Sequence, residues 1–136
     1  MAEIRLGIVS DIGLFWPMVE RFFIASTEYG LDWTADDVKR SLDDGMAYLW
    51  VVADEKQIIG SFCTKVCIGR ERYAVITDLA GDRFDEWIAA GDEKVTQWAK
   101  DMGCKFIHFY GRVGWGKKLA GIGYKVNRIE GIKHVE

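Results

Sequence analysis

Apolar positions along this chain follow two periods, and the change of period separates strands from helices. Residues 3–9 alternate between apolar and polar side chains, which predicts a first strand. Asp11 then offers an N-cap, and apolar residues recur at helical spacing. Because proline suits the first turn of a helix, Pro17 predicts that this helix begins near Trp16.

Glycines and capping residues divide the next part of the chain. Gly30 is expected to end the first helix. Thr34 and Asp37 fit a capping box, with Asp in place of the usual Glu, and Gly45 provides the stop of this second helix. Runs rich in aromatic and β-branched residues then predict an antiparallel meander of three strands, at residues 46–55, 58–69 and 73–81.

The last third of the chain continues with alternating helices and strands. A helix is expected over 83–102, weakly interrupted at Gly91, and a short buried strand over 104–111. A short helix over 112–121 and a closing strand over 123–135, bent at Gly131, complete the prediction. The expected fold is one α/β (α+β) domain spanning residues 1–136, with a mixed sheet and the order β-α-α-β-β-β-α-β-α-β.

Composition and charge narrow the classes of function. The chain has 136 residues, is 49% hydrophobic and contains six Trp, which suffices for a packed core. Its start is too charged for a signal peptide and no apolar run would span a membrane, so secretion and membrane insertion are not expected. A net charge of -3 argues against binding nucleic acid through bulk charge. Lys and Arg concentrate after residue 104, with 7 against 2 Asp and Glu. Such a split marks either a basic contact face or, more commonly, an acidic helix surface beside a basic hairpin.

Cysteine and histidine offer little catalytic chemistry. The three cysteines form no CxxC pair and no metal-ligand pattern, so we expect reduced structural thiols and no metal site. His108 lies among apolar residues in a predicted strand, where a side chain of the core or the sheet face is a better interpretation than a general base. The glycine-rich basic segment "GRVGWGKK" suits a phosphate or nucleic acid contact, or a helix start with solvated lysines.

The closing segment "MGCKFIHFYGRVGWGKKLAGIGYKV" resembles that of the GNAT superfamily, the Gcn5-related N-acetyltransferases, as does the element order. The resemblance implies acetyl-CoA lying between the fourth and fifth strands. It also implies a pyrophosphate seat at the following helix start, through an R/Q-x-x-G-x-G/A motif. Under this resemblance the coenzyme-binding residues are Leu79, Ala80, Gly81 and Arg83.

Two residues depart from that motif. Glu86 stands at the position of a motif glycine, and Ile88 stands at the last Gly/Ala. Glu86 repels a pyrophosphate and Ile88 fills space that the coenzyme needs, whereas acids in a first turn stabilise a helix. The turn is therefore interpreted as an acidic cap that supplies its own anion, with a phosphate site as the alternative.

The catalytic residues implied by the resemblance are also incomplete. Leu119 stands where the family has its general-acid Tyr, so the leaving thiolate would need another donor. Tyr110 and Tyr124 are the candidates, although neither matches the family's spacing and Tyr124 stands at the Phe of its Gly-Phe. Core or stacking roles are the favoured alternative for both tyrosines. Asp78, near the end of the fourth strand, is the best placed general base, and a strand-end cap is its structural alternative. Asp54 and Glu55 are weaker candidates.

A narrower resemblance links the pattern "GDRFDEW…WAKDMGC…GRVGWGKKLAGIGYK" to small GNAT-like proteins of tailed bacteriophages, often encoded among virion genes. It implies a non-catalytic virion or assembly component in the host cytoplasm and the virion, which needs no cofactor and acts through protein contacts. The alternative is an active N-acetyltransferase that moves an acetyl group from acetyl-CoA to an amine. The expected partner contact consists of Arg112, Lys117, Lys118 and Lys125, next to Trp115, for which we expect burial.

Overall fold

The fold is that of a computed structural model, which describes residues 3–28, 33–111 and 115–125 together with positions 133 and 135. Five strands form one sheet in the order β1-β2-β3-β4-β5, antiparallel throughout except for the parallel pair β4 and β5. The strands are β1 Arg5–Val9, β2 Tyr48–Ala53, β3 Ile58–Ile68, β4 Arg72–Gly81 and β5 Ile107–Phe109. The helices are α1 Ile12–Thr27, α2 Ala35–Asp43, α3 Phe84–Asp101 and α4 Trp115–Ala120.

Helices cover both faces of the sheet. Helices α1 and α2 pack one face through buried residues such as Val19, Phe23 and Val38, against Val51 and Cys63 of the strands. Helix α3 packs the opposite face through its own set of buried apolar residues and the facing strand residues: Phe84, Trp87 and Val95, with Trp50, Phe62, Ile76 and Leu79. The mixed α/β class and the antiparallel meander are therefore confirmed, and the sequence order is observed up to α4.

Helix α1 begins earlier than the sequence predicts. The Asp11 carboxylate accepts a hydrogen bond from the Leu14 backbone N–H at 3.0 Å, so the helix starts at Ile12 and not near Trp16. Pro17 lies inside the helix, where it removes the N–H that would bond to the Gly13 carbonyl. Both residues face solvent, where water can satisfy that carbonyl. The cap therefore outweighs the proline in setting the helix start.

The capping signals of α2 are confirmed. Thr34 and Asp37 form the reciprocal capping box, with the Thr34 N–H donating to the Asp37 carboxylate at 2.9 Å. Gly45 takes a left-handed conformation, φ +73°, just after the helix. Its N–H donates to the Leu42 carbonyl at 3.1 Å, and the next N–H reaches Ser41 at 2.9 Å. This is the hydrogen-bond pattern of a Schellman stop.

Other boundaries differ from the sequence prediction. Gly91 is buried inside a continuous α3, where an added Cβ would make ordinary contact with Trp87 at 3.6 Å. Strand β5 is shorter than the expected 104–111 and is half-buried. The Cys104 N–H donates to the Ala99 carbonyl at 2.9 Å, so Cys104 belongs to the end of α3 and not to the strand. The proposed helix stop at Gly30 and nearly all of the closing strand at 123–135 lie outside the described residues.

A β-bulge interrupts the pairing of β3 with β4 close to the end of β4. Ser61 pairs with Ala80 and Cys63 with Thr77, so β4 carries one residue more than β3 over this interval. Asp78 lies in the bulge with φ 58°, a left-handed conformation that is uncommon outside glycine. Beyond the bulge, β4 pairs with β3 again at Ala80 and Gly81, just before α3 begins.

Candidate functional site

Strands β4 and β5 pair over only three positions and then separate. Ile76 and Phe109 form the last pair, and the Tyr110 N–H donates to the Ile76 carbonyl at 3.1 Å. Strand β4 continues to Gly81, paired with β3 alone in the described sheet. The divergence opens a cleft on the α3 side of the sheet.

Apolar side chains from four elements line this cleft. Its walls include Ile76 and Leu79 of β4, Phe109 of β5, Trp87 of α3 and Leu119 of α4. The space inside measures about 30 Å³, which holds roughly two water molecules. The cleft is thus preformed but narrow.

Asp78 is an ionisable residue with strained backbone near the point where β4 and β5 separate. Its positive φ places a non-glycine residue in a conformation that is sparsely populated, as often occurs at functional sites. Burial raises the pKa of the Asp78 carboxyl, against the lowering effects of Thr77, Lys65 and Trp33. Strained backbone and a raised pKa are features that mark Asp78 as a candidate general base.

Lys65 and Trp33 complete the surroundings of Asp78 on the sheet face that carries α1 and α2. The Lys65 ammonium lies 5.1 Å from the centre of the Trp33 ring. Cys63 is also close: burial, and next the charge of Asp78, raise the pKa of its thiol well above its ordinary value. Cys63 is therefore an inert core thiol, as the sequence predicted, whereas Lys65 and Trp33 carried no motif that would have singled them out.

The start of α3 holds an ion cluster centred on Arg83. The Arg83 guanidinium donates to both Glu86 carboxylate oxygens, at 2.6 and 3.1 Å, and to Asp54 Oδ2 at 2.6 Å. Arg83 itself is left-handed, φ 55°, and precedes the first turn of the helix without a side-chain cap. The arginine that matches the coenzyme motif is thus bound by two carboxylates of its own chain.

The two carboxylates are held in different ways. The Asp54 side chain is only 8% exposed. It accepts the Lys56 and Gln57 backbone N–H groups at 2.8 Å, which lower its pKa first, with Arg83 adding to the effect. The hydrogen bond from Arg83 lowers the pKa of Glu86. The acidic turn therefore supplies its own anion, and Asp54, 29 residues away from Arg83, is the partner that sequence reasoning did not assign.

The other three residues predicted to bind the coenzyme do not face a common space. Leu79 lines the cleft, whereas Ala80 packs into the opposite core with α1 and α2. Gly81 lies against β3 so closely that an added Cβ would stand 2.7 Å from Gly60 Cα. Among these three residues, only the Leu79 side chain faces the space in which the resemblance places the coenzyme.

Tyr124, four residues after the end of α4, lines the cleft. Gly123 is left-handed, φ +99°, and the Tyr124 N–H donates back to the Leu119 carbonyl at 3.2 Å. Both side chains line the cleft, and Leu119 is 6% exposed. Burial, followed by the charge of Asp92, raises the pKa of the Tyr124 hydroxyl, and burial raises that of Asp92. Tyr124 is therefore inside the site, beside an acidic residue that the sequence pattern did not indicate.

Two of the basic residues lie within α4 and a third follows Tyr124. Lys117, Lys118 and Lys125 are exposed, and Arg112 lies outside the described residues. The Lys118 ammonium is 3.8 Å from Asp85 and 5.2 Å from the centre of the Phe84 ring. These exposed lysines are available for a contact with a partner, but their positions do not indicate which partner.

Trp115 and His108 are both half-buried. Trp115 is half-buried and its ring centre lies 4.2 Å from that of Phe84, so the expected burial is only partial. His108 lies on the sheet face, with ring centres at 4.8 Å from Tyr73 and 4.9 Å from Phe106. Its Nδ1 is 3.4 Å from the Tyr110 hydroxyl. These contacts fit the predicted sheet-face histidine.

Two further classes of site find no support in the described ranges. No group of three His, Cys, Asp or Glu side chains gathers there as a metal site would require. None of the helices in those ranges has the length and apolar character needed to cross a bilayer.

Comparison with known proteins places the fold. No family model matches the sequence, and no curated protein matches it significantly. A GCN5-related N-acetyltransferase from Ralstonia eutropha JMP134 superposes with a TM-score of 0.68 at 16% identity, covering 98% of this chain and 99% of that chain. A glucosamine-6-phosphate N-acetyltransferase from Arabidopsis thaliana gives 0.66 at 13% identity, with coverage of 98% and 99%.

A third solved structure includes the coenzyme. A predicted acetyltransferase from Clostridium acetobutylicum, determined with acetyl-CoA, gives a TM-score of 0.67 at 17% identity, with coverage of 99% of this chain and 96% of that chain. None of these three proteins comes from a bacteriophage, so the narrower likeness to phage proteins stays a prediction. The split sheet, the bulge and the comparisons agree on one conclusion: this chain has the fold of the GNAT acetyltransferases.

Proposed function

We propose that this protein transfers an acetyl group from acetyl-CoA to an amine. The observation that supports this proposal is Asp78, a carboxyl held in a strained bulge where β4 leaves β5. A regular strand would suffice for folding alone, and strained backbone persists where the surroundings enforce it, often at functional sites. The three similar proteins named above are acetyltransferases, which supports the same reaction class.

Asp78, on the sheet face of α1 and α2, would act as the base, and the cleft on the α3 side would bind the acetyl donor. Acetyl-CoA supplies an acetyl thioester. The Asp78 carboxylate takes a proton from the attacking amine, and its raised pKa brings it closer to the working pH of a base. The apolar walls, including Leu79 and Phe109, exclude water from the reacting carbonyl. Lys65 and Trp33 border the side from which an amine would approach Asp78.

The residues fit the acetyl end of the coenzyme better than its phosphate end. Arg83 would have to exchange Glu86 or Asp54 for a phosphate, and the remaining carboxylates repel it. The narrow cleft must also widen to accept a pantetheine arm. We therefore expect weak coenzyme binding, with a dissociation constant near millimolar, or about 4 kcal/mol.

An acetylation assay tests the proposal. The purified protein is incubated with millimolar acetyl-CoA and a panel of primary amines, and released CoA thiol is measured. We expect amine-dependent release, and a reduction of about 100-fold or more for Asp78→Asn, because general bases contribute that much. Asp85→Asn is the matched control, since the Asp85 side chain is 88% exposed. Thiol release that is equal for wild type and Asp78→Asn, or absent with every amine, would contradict the proposal.

A non-catalytic role in a phage virion is the second candidate. The Arg83 cluster favours it, because the carboxylates of Glu86 and Asp54 occupy the arginine that a coenzyme would use. Such a protein would act through the exposed lysines at the basic end, including Lys117 and Lys118. Charge reversal of both lysines should then abolish co-purification with phage particles while the melting temperature stays unchanged. Particles that retain the reversed protein at full occupancy would exclude this contact.

A further inference from the structure

Lys65 holds a primary amine beside the candidate base. Its ammonium stands 5.1 Å from the centre of the Trp33 ring, within the range of a cation–π contact. The charge of Lys65 also lowers the pKa of the Asp78 carboxyl, and Trp33 adds to that effect, so the three side chains are neighbours. An aromatic ring face and a carboxylate both attract an ammonium group. Lys65 therefore occupies the surroundings that an amine substrate of Asp78 would need.

The strand register brings Lys65 to the opening between β4 and β5. Lys65 of β3 pairs with Val75 of β4, one position before Ile76, which is the last residue of β4 paired with β5 among the described residues. Past Ile76 the opening joins the cleft on the α3 side to the face that carries Lys65 and Asp78. Neighbouring strands lie about 4.8 Å apart, so a lysine side chain on β3 spans the width of β4. An acetyl carbonyl placed in the opening would thus lie within reach of both the Lys65 nitrogen and the Asp78 carboxyl.

A second nucleophile, Cys63, lies near Asp78, but its surroundings exclude it as an acceptor. Cys63 is 1% exposed, and burial, followed by the Asp78 charge, raises the pKa of its thiol well above the ordinary value. The thiolate is the form that attacks a carbonyl, so Cys63 stays unreactive. Lys65 is only half-buried, so the burial that silences Cys63 does not apply to it. The amine of Lys65 is thus the acceptor that these surroundings favour.

We propose that Lys65 is acetylated by its own chain, with Asp78 as the base, an inference that rests on the proposed acetyl transfer. The Lys65 ammonium first releases one proton to solvent. Its neutral nitrogen forms a bond with the thioester carbonyl carbon of acetyl-CoA and gives a second proton to Asp78. The C–S bond breaks, and its electron pair leaves with the sulfur as the CoA thiolate, which takes up a proton from solvent. Asp78 returns its proton to solvent, and Lys65 keeps the acetyl group as a neutral amide.

Mass spectrometry of the intact chain and of its peptides tests this modification. The purified protein is incubated with millimolar acetyl-CoA that carries a deuterated acetyl group, without any added amine, and the labelled fraction of each lysine is followed over time. Lys56 is exposed in the turn between β2 and β3 and reports acetylation that needs no base. We expect Lys65 to gain the label at least about 10-fold faster than Lys56, because a general base contributes about 100-fold or more and half-burial offsets part of that gain.

Matched variants assign the rate to the base and to the chain itself. Asp78→Asn should lower the labelling rate of Lys65 by about 100-fold and leave that of Lys56 unchanged, whereas the control Asp85→Asn, on an exposed side chain, should change neither. Lys65→Arg keeps a cation next to Trp33 but has no amine, so the labelled peptide should disappear. Transfer within one chain predicts a rate constant that stays the same when the protein is diluted. Melting temperatures identify any variant that fails to fold, and the comparison of Lys65 with Lys56 in the wild type needs no variant.

The outcomes separate this inference from the function on which it rests. Amine-dependent thiol release without labelling of Lys65 overturns the acceptor role of Lys65 and leaves acetyl transfer intact. Labelling of Lys65 that is no faster than that of Lys56, that is unchanged in folded Asp78→Asn, or whose rate constant rises with protein concentration also overturns it. A protein that releases no thiol with any amine and gains no label at Lys65 overturns both. Rapid labelling of Lys65 that depends on Asp78 and is independent of dilution supports the proposal.

Discussion

Strands β3 and β4 approach each other closely at Gly60 and Gly81, just before α3 begins, and a single added methyl group tests this contact. Gly81 ends β4 opposite Gly60, and an added Cβ would stand 2.7 Å from Gly60 Cα and 2.7 Å from the Ile59 carbonyl oxygen. The contact cannot relax easily, because the Asp82 N–H donates to that same Ile59 carbonyl at 2.7 Å. Gly81→Ala should therefore force two paired strands apart.

The expected magnitude follows from the atoms that must move. Overpacking a core costs about 1–3 kcal/mol, and the upper end applies here because the opposing atoms are backbone. Gly91→Ala is the matched variant: its Cβ would meet Trp87 at an ordinary 3.6 Å. Alanine inside a helix should stabilise the protein by about 0.5–1 kcal/mol relative to glycine. The two glycines both neighbour Trp87, yet their substitutions are expected to have opposite signs.

Thermal and urea unfolding measure the difference. For a chain of this length, 1 kcal/mol shifts the melting temperature by about 4 °C, so we expect a loss of roughly 10 °C for Gly81→Ala and a gain of about 2–4 °C for Gly91→Ala. The urea midpoint should move in the same directions at an unchanged slope. A Gly81→Ala protein that melts within about 2 °C of wild type would refute the close approach of β3 and β4.

Three further predictions concern two charged residues and one helix cap. Because burial raises the pKa of Asp78 in the folded state above its ordinary 3.8, its stability contribution is present at acid pH and is lost as pH rises through the folded value. Asp78→Asn should therefore be more stable than wild type at pH 7, with the gap in urea midpoint shrinking toward pH 4; a variant less stable at pH 7 would contradict burial of the charge. Glu86→Gln should tighten CoA binding by calorimetry about 3- to 10-fold at low salt and less at high salt, since one like charge is removed beside Arg83, and an unchanged affinity would mean that charge is not what limits binding. Thr34→Ala should lower the free energy of unfolding by about 1 kcal/mol through loss of the capping box with Asp37, and an unchanged melting curve would show that the cap contributes nothing.

Local chemistry in the sequence predicted the elements of the fold well. The capping box at Thr34, the stop at Gly45 and the three strands of the meander depend on neighbouring residues, and all are confirmed. The prediction failed where two local signals competed, as at Pro17, which the Asp11 cap places inside α1. It also failed at Cys104, which was expected in a strand but takes part in the end of helix α3.

The site was harder to predict from the sequence, because its contacts join distant parts of the chain. Asp54 reaches Arg83 across 29 residues, and no sequence period reports such a contact. The bulge at Asp78 depends on a mismatch between two strands, which neither strand shows alone. Tyr124 could be named as a candidate, but only the left-handed turn at Gly123 brings it beside Leu119.

The unequal pairing of β4 makes the cleft a place where the protein can open locally. Strand β4 is bonded to β3 along nearly its whole length, whereas β5 is attached through three residue pairs. Segments with few hydrogen bonds and few buried contacts open at a lower free energy than the global transition. We expect the amides of β5 to exchange with deuterium much faster than those of the meander. A ligand that fills the cleft should slow deuterium exchange of the β5 amides. The cleft could widen by movement of β5 while the meander stays intact.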